Sequence, residues 1–166
     1  MPTFIMGMEV SKPVDSQQLF LFKKIVADNE MVQGYLICLC RGSKENIIGY
    51  ADISIAKKTR TAHLHYLHIN SGERQKSYGS ILLKAVLHDA SNQLCNYIKW
   101  EAAPFDLRTD ESKEEIFPKL VNFYTQHGAI PDAKSTYSNG MMYRFNEAQH
   151  VAEPQFAGKP IIMSRL

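Results

Sequence analysis

The hydrophobic runs along this chain are short, separated by polar turns, and spaced so as to predict a succession of elements. Phe4-Ile5-Met6-Gly7-Met8-Glu9-Val10 predicts a first strand, ended by Ser11-Lys12-Pro13 because proline removes a ladder donor. Asp15 then predicts a helix cap, with Gln18 completing an approximate capping box and Leu19, Phe22, Ile25 and Val26 lining one helical face up to Asp28-Asn29-Glu30. Gly34 to Arg41 and Ile47 to Ala56, separated by Gly42-Ser43-Lys44-Glu45-Asn46, are rich in β formers and predict a hairpin. After Lys57-Lys58-Thr59-Arg60, the run Thr61 to Ile69 predicts a third antiparallel strand.

The sharpest change of pattern lies between Leu64 and Asp89. An apolar strand end, Leu64-His65-Tyr66-Leu67-His68-Ile69, gives way to a polar turn from Asn70 to Ser80 and then to a helical run from Ile81 to His88, ending near Asn92. Asn96 to Ala102 predicts a strand stopped by Pro104. Because it follows a helix, it should lie parallel to the strand before that helix, through a right-handed crossover. Phe105 to Pro118 is polar and acidic, with Asp106, Asp110, Glu111, Glu114 and Glu115 against Arg108 and Lys113. Leu120 to His127 predicts a helix ended by Gly128, and Ser138 to Phe145 a final strand. The tail from Asn146 onward is polar until Pro160-Ile161-Ile162-Met163, which is free to dock on the sheet or on a partner. Strands first, then strand, helix, strand, helix, strand, predict an α/β (α+β) single domain over residues 1–166, with a core of about 3–145.

Composition changes this picture little. With 45% hydrophobic and 22% charged residues the chain is ordinary for a globular protein, and a formal charge of +2 is too small to imply nucleic acid. No apolar run approaches the ~20 residues of a membrane span, and Met1-Pro2-Thr3-Phe4 lacks the order of a signal peptide. The expectation is a soluble cytoplasmic protein. Cys38, Cys40 and Cys95 are three in number without metal-knuckle spacing, which argues against a disulfide framework. Cys38 and Cys40 share a strand face and should pack as small hydrophobes.

The chemistry concentrates in the turn. Arg and Lys followed by Gly-Ser at a helix start aim unpaired backbone N–H groups and the positive end of a helix dipole at one point, which suits a pyrophosphate. The same pattern also fits an ordinary connection whose basic residues are merely solvated. Arg74-Gln75-Lys76-Ser77-Tyr78-Gly79-Ser80 resembles the RxxGxG/A coenzyme A signature of the GCN5-related N-acetyltransferase (GNAT) superfamily, and Leu67-His68-Ile69 falls where that family has a Leu-x-Val strand end. One residue departs from the pattern. Ser77 stands where the first glycine sits; serine still offers its N–H, but it resists positive φ and brings a side chain towards the phosphates. A second segment, Phe123-Tyr124-Thr125-Gln126-His127-Gly128-Ala129, resembles the family's LYEKLGF, and Trp100-Glu101-Ala102 resembles the LEV strand of members that acetylate protein N-termini.

The resemblance implies a mostly antiparallel mixed sheet with helices on both faces, splayed into a V where pantetheine enters. It implies acetyl-CoA as co-substrate, held by His68, Ile69, Arg74, Gln75, Lys76, Ser77, Tyr78, Gly79 and Ser80. Tyr124 would be the general acid and Glu101 the general base, with His65 and Asp52 as alternative bases; His63 shares the face of His65. A carboxylate beside Trp100 would be partly desolvated, which suits it to take a proton from an ammonium group. The partner would be an amine on a small molecule or peptide, with no metal, nucleic acid or membrane involved, and a homodimer stays open. An inactive acyl-CoA-binding interaction module is the alternative reading.

Overall fold

The computed structural model describes residues 18–74, 76–102, 113–135, 140–145, 155–156, 159–160 and 163–165. The strand expected at 4–10, the cap Asp15 and residue Gln75 lie outside these residues, as do 103–112 of the acidic segment and 146–154 of the tail.

The described chain opens not with a helix but with a strand, β1 (Leu19–Asp28). The helical reading of Leu19, Phe22, Ile25 and Val26 is therefore wrong, and the reason is that a nearly continuous apolar run fits both periods. Leu19, Leu21 and Lys23 are buried on one face, Phe22 is buried on the other, and Ile25 and Val26 are exposed. Phe, Ile and Val favour a strand that is covered on both faces. Antiparallel strands β2 (Val32–Arg41), β3 (Ile47–Ala56) and β4 (Thr61–Ile69) follow as expected. A short 3-10 turn at Ser71–Glu73 leads to α1 (Tyr78–Asn92), and β5 (Tyr97–Glu101) returns parallel to β4.

Helix α2 spans Lys113–Gln126, starting earlier than the run at Leu120 predicts. Pro118, which the sequence places at the end of a loop, lies inside it. Proline costs a helix one backbone bond and some strain, but the apolar face of Leu120, Val121, Phe123 and Tyr124 packs against or within the core. Short strand β6 (Ile130–Pro131) and β7 (Gly140–Arg144) complete the sheet on that side. In the tail, β8 (Gln155–Phe156) pairs with β9 (Lys159–Pro160), and β10 (Met163–Arg165) docks parallel to β1.

The sheet has eight strands in the order β10-β1-β2-β3-β4-β5-β7-β6, mixed and mostly antiparallel. The main core gathers Tyr35, Ile37, Leu39, Ile53, Ile55 and Leu64 from the sheet under Leu82, Leu83 and Val86 of α1, together with Trp100 and Tyr124. A smaller cluster of Phe22, Cys38 and Cys40 lies on the other face of β1 and β2. The three cysteines are buried and free. Burial pushes the Cys38 thiol up to about 11 and the Cys40 thiol up to about 12, so both stay protonated and pack as apolar groups.

Inside the core, Lys23 Nζ lies 3.0 Å from Asp89 Oδ2 and 4.0 Å from the centre of the Tyr35 ring, tying β1 and β2 to α1. Burial, and then the Asp89 charge, hold the Tyr35 phenol well above its ordinary range.

Candidate active site

Strands β4 and β5 are paired only through Thr61 with Tyr97, Ala62 with Ile98 and His63 with Lys99. Beyond those pairs they part, as the V expected from the sequence requires. The divergence begins where β4 bulges: Asp52 faces Tyr66 and Ile53 faces Leu64, so His65 is the extra residue. A bulge bends its strand and increases local twist, which swings Leu67, His68 and Ile69 away from β5. Into the opening fits a cavity of about 1160 Å³ that reaches from Arg74 and Ser77 at one end to Asp52, His65 and Glu101 at the other. Among the described residues, no group of three His, Cys, Asp or Glu side chains could hold a metal ion.

The turn at the first end is tied down by residues outside the quoted signature. Arg41, at the end of β2, grips Glu73 with two bonds of 2.6 and 2.9 Å and bonds the Tyr78 hydroxyl at 3.1 Å. Lys76 adds a contact of 3.2 Å to Glu73. Hydrogen bonding from Arg41, with Lys76 assisting, pulls the Glu73 carboxyl down to about 2, so the group remains a carboxylate. Arg74 Nε donates to the Ile69 carbonyl at 3.1 Å, joining the turn to the end of β4.

Ser77 takes φ 63 and ψ 15, the left-handed conformation that a glycine adopts freely. The serine keeps the backbone path that its side chain disfavours, and α1 starts immediately after it. The N–H groups of Tyr78, Gly79 and Ser80 have no carbonyl to reach within the helix, and these three residues border the cavity. At Gly79 a Cβ would stand 3.6 Å from the edge of the Phe123 ring, an ordinary van der Waals contact. A glycine is needed in β3. At Gly49, opposite Ile69, a Cβ would lie 2.8 Å from the His68 carbonyl oxygen.

Across the gap stands Tyr124, 7% exposed, with its ring centroid 5.1 Å from Trp100 and 5.2 Å from Phe123. Burial alone pushes its phenol up to about 12. Glu101 is exposed, on the face of β5 opposite to Trp100, because successive strand residues alternate. The desolvation expected of Glu101 from its neighbour is therefore not what the strand provides. His63 and His65 stack with centroids 4.7 Å apart, and His65 Nε2 lies 2.8 Å from Ser54 Oγ. Burial first, and then the nearby His65, lower the His63 pKa below its ordinary value, while Glu101 opposes them.

All the expected catalytic residues, Tyr124, Glu101, His65 and Asp52, border this one cavity, as do His68 and Ile69 of β4 and Arg74, Ser77, Tyr78, Gly79 and Ser80 of the turn. Lys76 is exposed and turned to Glu73 rather than to the cavity wall. Arg41, Gly49 and His127 escaped the sequence reading. His127 stood in a quoted segment, but nothing in one chain marks Arg41 as the partner of a residue 32 positions away.

Together these features define a splayed mixed-sheet α/β protein with an anion-receptive turn and a buried tyrosine across the gap. The chain belongs to the acetyltransferase (GNAT) family, whose model matches residues 6–112; its members are acyl-CoA N-acyltransferases. No match is found among curated protein sequences. Among solved structures, GCN5 of Tetrahymena is similar with a TM-score of 0.54 at 12% identity, over 74% of this chain and 73% of that one. A Klebsiella pneumoniae protein provisionally described as an acyl-CoA N-acyltransferase gives 0.52 at 15% identity, over 72% and 77%. The PaiA N-acetyltransferase of Thermoplasma acidophilum, in complex with coenzyme A, gives 0.50 at 13% identity, over 69% and 62%. These likenesses establish the fold.

Proposed function

We propose that the protein transfers an acetyl group from acetyl-CoA to a primary amine by direct attack, without a covalent enzyme intermediate. One observation carries this reading: a single cavity is lined by the helix-start turn of Ser77 to Ser80 and by both Tyr124 and Glu101. The amides of Tyr78, Gly79 and Ser80 suit a pyrophosphate, and the part of β4 at His68 and Ile69 that diverges from β5 suits an extended pantetheine arm, which pairs as an added strand would. Membership of the family supports the acyl-CoA half of the reading. The amine half rests on the acceptor end.

There, the bond from the amine nitrogen to the thioester carbonyl forms as the bond from carbon to sulfur breaks. Tyr124, protonated at neutral pH, supplies the proton for the departing sulfur. Glu101 takes the proton from the amine, directly or through water, with His65 and Asp52, which border the same cavity, as the alternative acceptors. A backbone N–H near Ile69 steadies the developing oxyanion. Glu101→Gln and His65→Gln separate the candidates: the substitution that removes the acid limb of the rate profile identifies the base.

Thermal unfolding with acetyl-CoA tests the first half. Ligand at a hundred times its dissociation constant adds about 2.7 kcal/mol of stability, and no shift at millimolar ligand would sink the reading. Release of free thiol with a pooled amine library, followed by mass spectrometry of the products, tests the second. Binding without any thiol release would leave the chain as a coenzyme-binding interaction module.

A further inference from the structure

His127 follows α2 and reaches across to the start of α1. Its Nδ1 lies 2.8 Å from the Phe123 carbonyl oxygen, and its Nε2 lies 2.6 Å from Ser80 Oγ. A carbonyl oxygen only accepts, so Nδ1 carries a hydrogen. In the neutral ring Nε2 is then a bare acceptor, and the Ser80 hydroxyl must spend its hydrogen on it. Ser80 and His127 both border the cavity, and Ser80 belongs to the helix turn that offers its amides to an anion.

We propose that Ser80 and His127 form a proton-linked phosphate contact, in which an anion seated on the first turn of α1 draws one proton from solvent onto His127 Nε2. The new Nε2–H donates to Ser80 Oγ. The hydroxyl hydrogen, released from the imidazole, turns to donate to an anionic oxygen of the ligand. One proton enters, none leaves, and no bond between heavy atoms changes. The ligand class is a diphosphate ester such as that of coenzyme A, so the inference rests on the coenzyme reading of this turn.

The surroundings favour the charged ring once the anion is present. The Phe123 carbonyl belongs to the last turn of α2, whose negative dipole end stabilises a cation, and the Phe123 ring lies 4.7 Å from the imidazole, centre to centre. Of the other charged or titratable groups on the cavity wall, Glu73 and Arg74 come from the turn, Tyr78 from α1, Lys119 and Tyr124 from α2, Asp52 from β3, His63, His65, Tyr66 and His68 from β4, and Glu101 from β5. Glu73 stays ionised through Arg41 and Tyr124 stays protonated, so neither changes state near neutrality. The cavity's other histidines, His63 and His65, stacked 4.7 Å apart, and His68, packed on Tyr50 with ring centroids 5.5 Å apart, are separated from His127 by substitution.

The test is calorimetric titration of the full chain with dephospho-coenzyme A at pH 6 and pH 8, in buffers of different ionisation enthalpy. This ligand lacks the 3′-phosphate, whose own ionisation near pH 6 would mask the effect. The expected result is binding about fivefold or more tighter at pH 6 than at pH 8, which over two pH units is a mean uptake of about 0.35 proton or more. His127→Gln should abolish both, and Ser80→Ala, which keeps the backbone amide, should remove the gain at pH 6. Tight binding with no pH dependence, or the same dependence in His127→Gln, overturns the proton-linked contact and leaves the coenzyme reading standing. Absence of binding at both pH values overturns both readings.

Discussion

The ring of Tyr124 lies 5.1 Å from that of Trp100, so α2 and β5, the two elements that flank the acceptor end, are held together through the proposed acid itself. Tyr124→Phe keeps this packing and deletes only the hydroxyl. Turnover should fall about 10²-fold while the dissociation constant for coenzyme A stays the same. Thiol-release kinetics beside calorimetry make the comparison, and an unchanged rate would remove Tyr124 from the mechanism.

The same phenol makes a prediction about alkaline stability. Its folded value of about 12 lies above the ordinary 10, so its contribution to stability is complete below pH 10 and is lost as pH rises towards about 12. Denaturant titrations should show the stability difference between the wild type and Tyr124→Phe shifting in favour of the variant above pH 10, and not below it.

Ser77→Gly should stabilise the protein. Left-handed backbone costs a side-chain-bearing residue about 1–2 kcal/mol, and glycine gives back about half of that through greater freedom in the unfolded chain. The expected net gain is about 0.5–1 kcal/mol, read from urea midpoints, with coenzyme binding retained. A loss of stability would mean that the serine side chain makes a compensating contact.

Gly49→Ala should do the opposite at the neighbouring strand. The added methyl would meet the His68 carbonyl oxygen at 2.8 Å and Ile69 Cδ1 at 2.5 Å, and backbone yields less readily than side chain. A cost of about 1–3 kcal/mol is expected. Because the displaced residues end β4 at the cavity, coenzyme affinity should weaken with it.

Removing the charge of one member of the buried pair, as in Asp89→Asn, takes the carboxylate away from the Lys23 ammonium beneath α1 and should cost about 3–5 kcal/mol. The double change Lys23→Met with Asp89→Leu should recover most of that loss, since matched apolar groups need no partner. Chemical denaturation of the single and double variants decides it.

Much of this architecture was legible before the structure. The hairpin of β2 and β3, the return through β4, the crossover helix and β5 each follow from a single clear period bounded by turn residues. The early start of α2, which takes in Pro118, was not legible, and neither was β1. Its sequence, Leu19-Phe20-Leu21-Phe22-Lys23-Lys24-Ile25-Val26-Ala27-Asp28, satisfies helical and strand spacing alike, and only pairing with β2 and β10, a tertiary fact, selects the strand. At the site, Ser77, Gly79 and Tyr124 were legible because their neighbours along the chain define them. Arg41, Gly49 and the Ser80–His127 contact were not, because each depends on a residue brought near by folding. Glu101 was placed correctly on a strand, but its adjacency to Trp100 along the chain suggested a shared environment that strand alternation denies.

The sheet's two outermost positions bear on how this protein behaves when crowded. On one side β10 covers β1 only at Leu21, Phe22 and Lys23; beyond them come an exposed lysine, Lys24, and a register break between Ile25 and Ala27. On the other side β6 is two residues long and ends in Pro131. Charge, irregular register, brevity and proline are the means by which a bare strand is kept from recruiting a neighbour's strand. Both margins are thus poor templates for edge-to-edge growth, and loss of residues 163–165 would uncover the apolar part of β1 and make aggregation the first consequence.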